Sequence, residues 1–97
     1  MAYKIIWSLQ ALEDLRSVTE FIAANDTDAA ERFGLSLLHR VENLAEHPMM
    51  GSVVPERKDK KIRQLLVGAY RIVYHMNSRA KTVQVWRVWH GARGKIE

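Results

Sequence analysis

The hydrophobic period of this chain changes once, and that change limits what it can fold into. From residue 8 to residue 45 apolar side chains recur every three or four positions; from residue 62 to residue 90 they follow a strand period with short turns. The first stretch dictates amphipathic helices and the second dictates strands. Tyr3-Lys-Ile-Ile-Trp7, short, aromatic and β-branched, adds a strand at the beginning. Ser8 caps the first predicted helix, which carries Ala11, Leu12, Leu15, Val18 or Thr19, and Ile22 on one stripe. Asn25-Asp-Thr-Asp28 breaks the pattern, and Asp28 with Glu31 has the spacing of a capping box for the second helix. That helix aligns Ala30, Phe33, Leu37, Leu38, Val41, Leu44 and Ala45, and Pro48 ends it. A short polar turn makes the two helices an antiparallel hairpin.

The irregular stretch 48–61 holds Pro48, Gly51, Pro55 and the run Glu56-Arg-Lys-Asp-Lys-Lys61. Strands are predicted at Ile62–Val67, Ala69–Met76 and Thr82–His90, with turns at Gly68-Ala69 and Asn77–Ala80. Such short turns make consecutive strands antiparallel neighbours. The expected fold is α+β in the order β-α-α-β-β-β: an N-terminal strand, then a helix hairpin packed on a curved, mostly antiparallel sheet. With 97 residues the chain is expected to form a single domain, 1–97.

Strict alternation puts Tyr70, Ile72, Tyr74 and Met76 on one face of the middle strand and Arg71, Val73 and His75 on the other. In the last strand Val83, Val85, Arg87 and Trp89 alternate with Gln84, Trp86, Val88 and His90. One helix hairpin covers only one face. Either the second face exposes tryptophan, valine and arginine together, the composition of a protein anchor surface, or the C-terminal tail or the 49–61 loop covers it. Both readings stay open at this stage.

Charge separates the halves. Residues 1–50 carry four basic and eight acidic side chains, and residues 51–97 carry eleven basic and three acidic. A basic second half suits an acidic partner or a nucleic acid. There is no cysteine, which excludes disulfides and thiolate metal sites and suits a reducing cytosol. The N-terminus has no apolar signal-peptide core, and no apolar run approaches the ~18 residues of a membrane span. A cytoplasmic protein with no membrane contact is expected.

His39, His47, His75 and His90 lack metal-ligand spacing, and no phosphate-loop, dinucleotide or serine-hydrolase motif is present; neither metal nor cofactor is expected. The chemistry-bearing cluster is Glu56, Arg57, Lys58, Lys60, Lys61, Arg63, Arg71, His90 and Arg93. Arg63 and Arg71 flank a tight turn, and two guanidinium forks side by side would clamp a phosphate. His90 or Glu56 beside them could move a proton in RNA cleavage. Alternatively Arg63 pairs with Glu56 or Asp59 and His90 merely ends a strand, which spacing alone favours.

The chain resembles the RelE/ParE toxin superfamily of bacterial toxin–antitoxin modules over nearly its whole length. The matching pieces are Ala11-Leu-Glu-Asp-Leu15, Ala29-Ala-Glu-Arg-Phe33, Leu44-Ala-Glu-His-Pro-Met-Met-Gly51, Val54-Pro-Glu56, Ile62-Arg63, Gly68-Ala-Tyr-Arg-Ile-Val-Tyr74 and Val88-Trp-His-Gly-Ala-Arg93. The resemblance implies a toxin neutralised by a cognate antitoxin whose C-terminal segment wraps it. RelE-like members cleave mRNA on the ribosome, often with a tyrosine near the C-terminus; ParE-like members act on DNA gyrase. Only Gly-Lys-Ile-Glu follows Arg93 here, without a tyrosine, and Pro48–Gly51 with Val54–Glu56 looks ParE-like. The expectation is a ParE-like gyrase inhibitor, with Lys58, Lys61, Arg63, Arg71, Trp86, Trp89 and Arg93 binding target or antitoxin. The alternatives are a RelE-like endonuclease using Arg63, Arg71 and His90 on ribosome-bound mRNA, and a non-toxic nucleic-acid-binding domain.

Overall fold

The computed structural model describes residues 2–91. Its elements are β1 (Lys4–Trp7), α1 (Leu9–Ala23), α2 (Thr27–Glu42), a single 3-10 turn (Asn43–Ala45), β2 (Ser52–Val53), β3 (Ile62–Val67), β4 (Tyr70–Asn77) and β5 (Thr82–His90). The five strands form one open mixed sheet in the order β1-β5-β4-β3-β2. β1 lies parallel to β5, and every other pairing is antiparallel. This is the expected α+β architecture with one strand added, β2. Two residues long, β2 carries no period a sequence pattern could show, and it exists because it pairs with Arg63 and Gln64.

The helices start and stop for local reasons. Ser8 Oγ accepts from the Ala11 N–H at 2.9 Å, as its position predicts. The second helix starts earlier than expected. Asp26, not Asp28, is the cap, with its Oδ1 accepting from the Ala29 N–H at 3.0 Å. Asp28 lies in the first turn, where a negative charge favours the helix dipole. α2 ends at Glu42, and the 3-10 turn carries the apolar stripe on to Leu44.

The helix-side face of the sheet carries the main core. Leu37, Val41 and Leu44 pack with Leu65, Val67, Ile72, Tyr74, Val83, Val85 and Val88. At about 25 cal/mol per Å² this burial is the dominant stabilising term of so small a domain. Both hairpin turns use local chemistry. Gly68 takes φ +57°, open to glycine at little cost. Asn77 Oδ1 accepts from the N–H groups of Arg79 and Ala80 at 3.0 Å. No helix among the described residues is long and apolar enough to cross a membrane.

Strict alternation fails in β5. A bulge between Val85 and Arg87 inserts Trp86, so Tyr74 faces Val85 while Val73 faces Arg87. Beyond the bulge the faces exchange. Val88 joins Val83 and Val85 in the core, and Trp86 and Trp89 both join the opposite face. The two tryptophans, expected on different faces, therefore share one.

Candidate functional site: the outer face of the sheet

The face away from the helices is partly roofed. Val54 arrives from the 49–61 loop and buries itself completely against Ile62 and Val73, with Trp86 and Trp89 half-buried beside them. Of the two readings left open by the sequence, the loop does cover part of this face. Of the large exposed apolar side chains, Leu66 lies on this face opposite Arg71, whereas Leu9, Leu12, Phe21, Leu35 and Leu38 lie on the helices and Met49 and Met50 on the loop.

Each tryptophan has a cation at its ring. The Arg57 guanidinium lies 5.8 Å from the Trp86 centroid, and His75 stacks on that indole at 5.3 Å with the planes 3° apart. Arg87 lies 4.5 Å from the Trp89 centroid. Such pairs contribute roughly 0.5–1 kcal/mol each at exposed sites. Arg71 joins the same face. Its Nη1 donates to Gln64 Oε1 at 3.0 Å, and its Nη2 lies 3.4 Å from Glu56 Oε2.

The phosphate clamp expected from Arg63 and Arg71 does not form. Arg63 pairs with Tyr74 and Arg71 with Leu66, an odd number of residues along each strand, so the two arginines point to opposite faces. Arg63 ties down the 49–61 loop instead. Its Nε donates to the Lys60 carbonyl at 3.0 Å and its Nη1 to the Gly51 carbonyl at 2.8 Å. The carboxylate partner expected for Arg63 goes to Arg71, because Glu56 sits on the outer face.

His90 lies with neither arginine. It faces Tyr70, with ring centroids 5.1 Å apart edge to face, on the helix side. There it lines a cleft of about 610 Å³ between α1 and the end of β5, with Ser17, Phe21 and Trp89. Lys58 and Lys61 are exposed on the loop. Arg93 lies outside the described residues. Among the described residues no group of three or more His, Cys, Asp or Glu could hold a metal.

Two elements of the site escape a reading of the sequence. The first is the anchor of the loop. Tyr74, fully buried, donates its hydroxyl to the Pro48 carbonyl at 2.7 Å and accepts from the Gly51 N–H at 3.0 Å. Burial pushes this phenol above its usual value, against the opposing pull of the Gly51 N–H and the Arg63 charge. The second is Asp14. It accepts from Arg87 Nε at 2.8 Å and from the Val88 N–H at 3.0 Å. Burial alone would raise its carboxyl, but the bonds from Arg87, Val88 and Gln10 hold it below the usual value. One signal was visible: Asp14 lies three residues from Ala11 and four from Val18, a charge beside the apolar stripe of α1.

The site thus rests on a helix hairpin and an open five-stranded mixed sheet with arginines and two tryptophans on its outer face. A family described as the ParE toxin of the type II toxin–antitoxin system parDE matches residues 5–94. The chain belongs to that family, within the RelE/ParE superfamily of toxins. It is 30% identical over 91 residues to Toxin RelE2 of Caulobacter vibrioides, covering 93% of this chain and 97% of the relative. Its fold is similar to the chromosomal ParDE system of P. aeruginosa (TM-score 0.74, 15% identity, 92% of this chain and 96% of that one). It is also similar to the RelBE2 toxin–antitoxin complex of Mycobacterium tuberculosis (TM-score 0.69, 19% identity, 93% and 92%) and to a mutant of the E. coli toxin RelE in the free state (TM-score 0.68, 20% identity, 97% and 88%).

Proposed function

We propose that this toxin acts by binding DNA gyrase, and that a cognate antitoxin neutralises it by covering the basic outer face. One observation carries the choice of target. The three residues a nuclease site would need, Arg63, Arg71 and His90, do not converge: two lie on the helix side, separated along the strands, and one lies on the outer face. A binding mechanism needs no acid–base pair. It needs anchors, and the outer face offers tryptophan beside arginine, the residue types that dominate protein interfaces. Complexes with an antitoxin are described for the similar M. tuberculosis RelBE2 and for a mutant of the E. coli toxin RelE, which supports an antitoxin here. Its segment over Lys58, Lys61, Arg71, Trp86 and Trp89 is expected to be acidic and to order on binding.

The test is a supercoiling assay with purified toxin and gyrase. Dose-dependent loss of supercoiling, reversed by the antitoxin, is the expected result; full supercoiling at a large molar excess of toxin would overturn the target assignment.

Ribosome-dependent mRNA cleavage is the second reading. The identity to Toxin RelE2 and the placement of Glu56 beside Arg71 favour it. Primer extension on translating mRNA would show cuts that vanish in Glu56→Gln/Arg71→Ala.

A further inference from the structure

β5 loses its parallel neighbour after Val85, because β1 ends opposite it at Trp7. The bulge begins at that point. A bulge leaves ladder groups unpaired, and here the start of α1 replaces the missing strand. Ser8 Oγ donates to the Trp86 carbonyl at 3.1 Å, and Asp14 Oδ2 accepts from the Val88 N–H at 3.0 Å. These two contacts flank Arg87, the residue that follows the inserted Trp86. The same carboxylate grips Arg87 with both oxygens, at 2.8 Å to Nε and 3.3 Å to Nη2. Asp14 is 10% exposed in its side chain and Arg87 36%, so the carboxylate is the shielded end of the pair. Arg87 in turn lies over Trp89.

We propose that Asp14, on the helix layer, is a positioning residue for the outer face: it fixes the bulged register of β5 and holds Arg87 over Trp89, so that Trp89 is presented as a rigid, cation-covered anchor. Two things follow from the geometry. The bulge sets which face Trp86 and Trp89 take, and Asp14 is the side chain that satisfies the N–H just past it. The bidentate pair also fixes the guanidinium plane, which a single hydrogen bond would leave free to swing. Asp14 acts through Arg87 and Val88. Its consequence for target binding rests on the reading of Trp89 as a binding residue, whereas the positioning itself does not.

The experiment uses the full chain with Trp7→Phe and Trp86→Phe, leaving Trp89 as the sole indole, and measures acrylamide quenching. Asp14→Asn keeps an oxygen for the Val88 N–H and loses the charge that grips Arg87, so it should fold. The quenching constant is expected to rise about twofold, as the guanidinium no longer shields the ring. Arg87→Ala should give the same rise, and the double variant no more than either. Asp14→Glu should restore part of the protection. A lower melting temperature with unchanged quenching in Asp14→Asn would make Asp14 merely structural and overturn the proposal; so would additive rises in the double variant. In the supercoiling assay, Asp14→Asn in the native tryptophan background should weaken inhibition, by a factor no larger than that of Trp89→Ala. Absence of gyrase inhibition by the parent protein, with the quenching pattern intact, would sink the gyrase reading and leave the positioning role standing.

Discussion

Removing one hydroxyl, Tyr74→Phe, should release the loop that roofs the outer face. The hydroxyl makes two hydrogen bonds, at 2.7 Å to the Pro48 carbonyl and 3.0 Å from the Gly51 N–H. Phenylalanine fills the same core space, so no cavity term enters. The loss is two bonds at a net ~1 kcal/mol each, plus the penalty for a Gly51 N–H left buried and unpaired, ~1 kcal/mol at the low end. Pro48 is only half-buried, so water can take over part of its share. The sum is about 2–3 kcal/mol, which for a domain this size lowers the melting temperature by roughly 10–20 °C.

The assay is calorimetric melting, paired with hydrogen exchange at the Gly51 amide. Exchange there should accelerate by one to two orders of magnitude relative to core amides of β4, at about 1.4 kcal/mol per tenfold change. A melting point lowered by less than about 4 °C would refute the reasoning. So would unchanged exchange at Gly51, because the hydroxyl would then not be what holds the loop.

Gly51→Ala should be at least as harmful: an added Cβ would meet the Gln64 carbonyl oxygen at 2.4 Å and the Tyr74 hydroxyl at 2.8 Å. A fall of about 3 kcal/mol, read as a lower urea midpoint at unchanged slope, is expected. Arg63→Ala removes the donors to the Lys60 and Gly51 carbonyls and should cost ~1–2 kcal/mol while leaving the core amides of β5, two strands away, protected from exchange. The Asp14 carboxyl titrates below its unfolded value of 3.8, so its contribution is present above that pH and disappears as pH falls through the folded value. The stability gap between the native chain and Asp14→Asn, measured by urea titration, should therefore be constant near neutrality and close in strong acid.

Local chemistry alone determined most of the framework. The Ser8 cap, the helical stripe through Leu37 and Val41, the Gly68 and Asn77 turns and the strand period of β3 and β4 are interactions between residues close in sequence. Their periods therefore gave the right elements and the right layers. The basic second half was equally plain from composition. Three features needed the tertiary structure. β1 pairs with β5 across most of the chain, a contact no local pattern encodes. Arg63 and Arg71 looked adjacent because they flank a tight turn, but side-chain direction follows strand parity, and the register placed them on opposite faces. The bulge at Trp86 left one trace, the spacing of Val83, Val85 and Val88 as two then three residues. That trace gains meaning only when α1 supplies Asp14 to the Val88 N–H. Which tryptophans share a face is decided by a carboxylate more than seventy residues away in sequence.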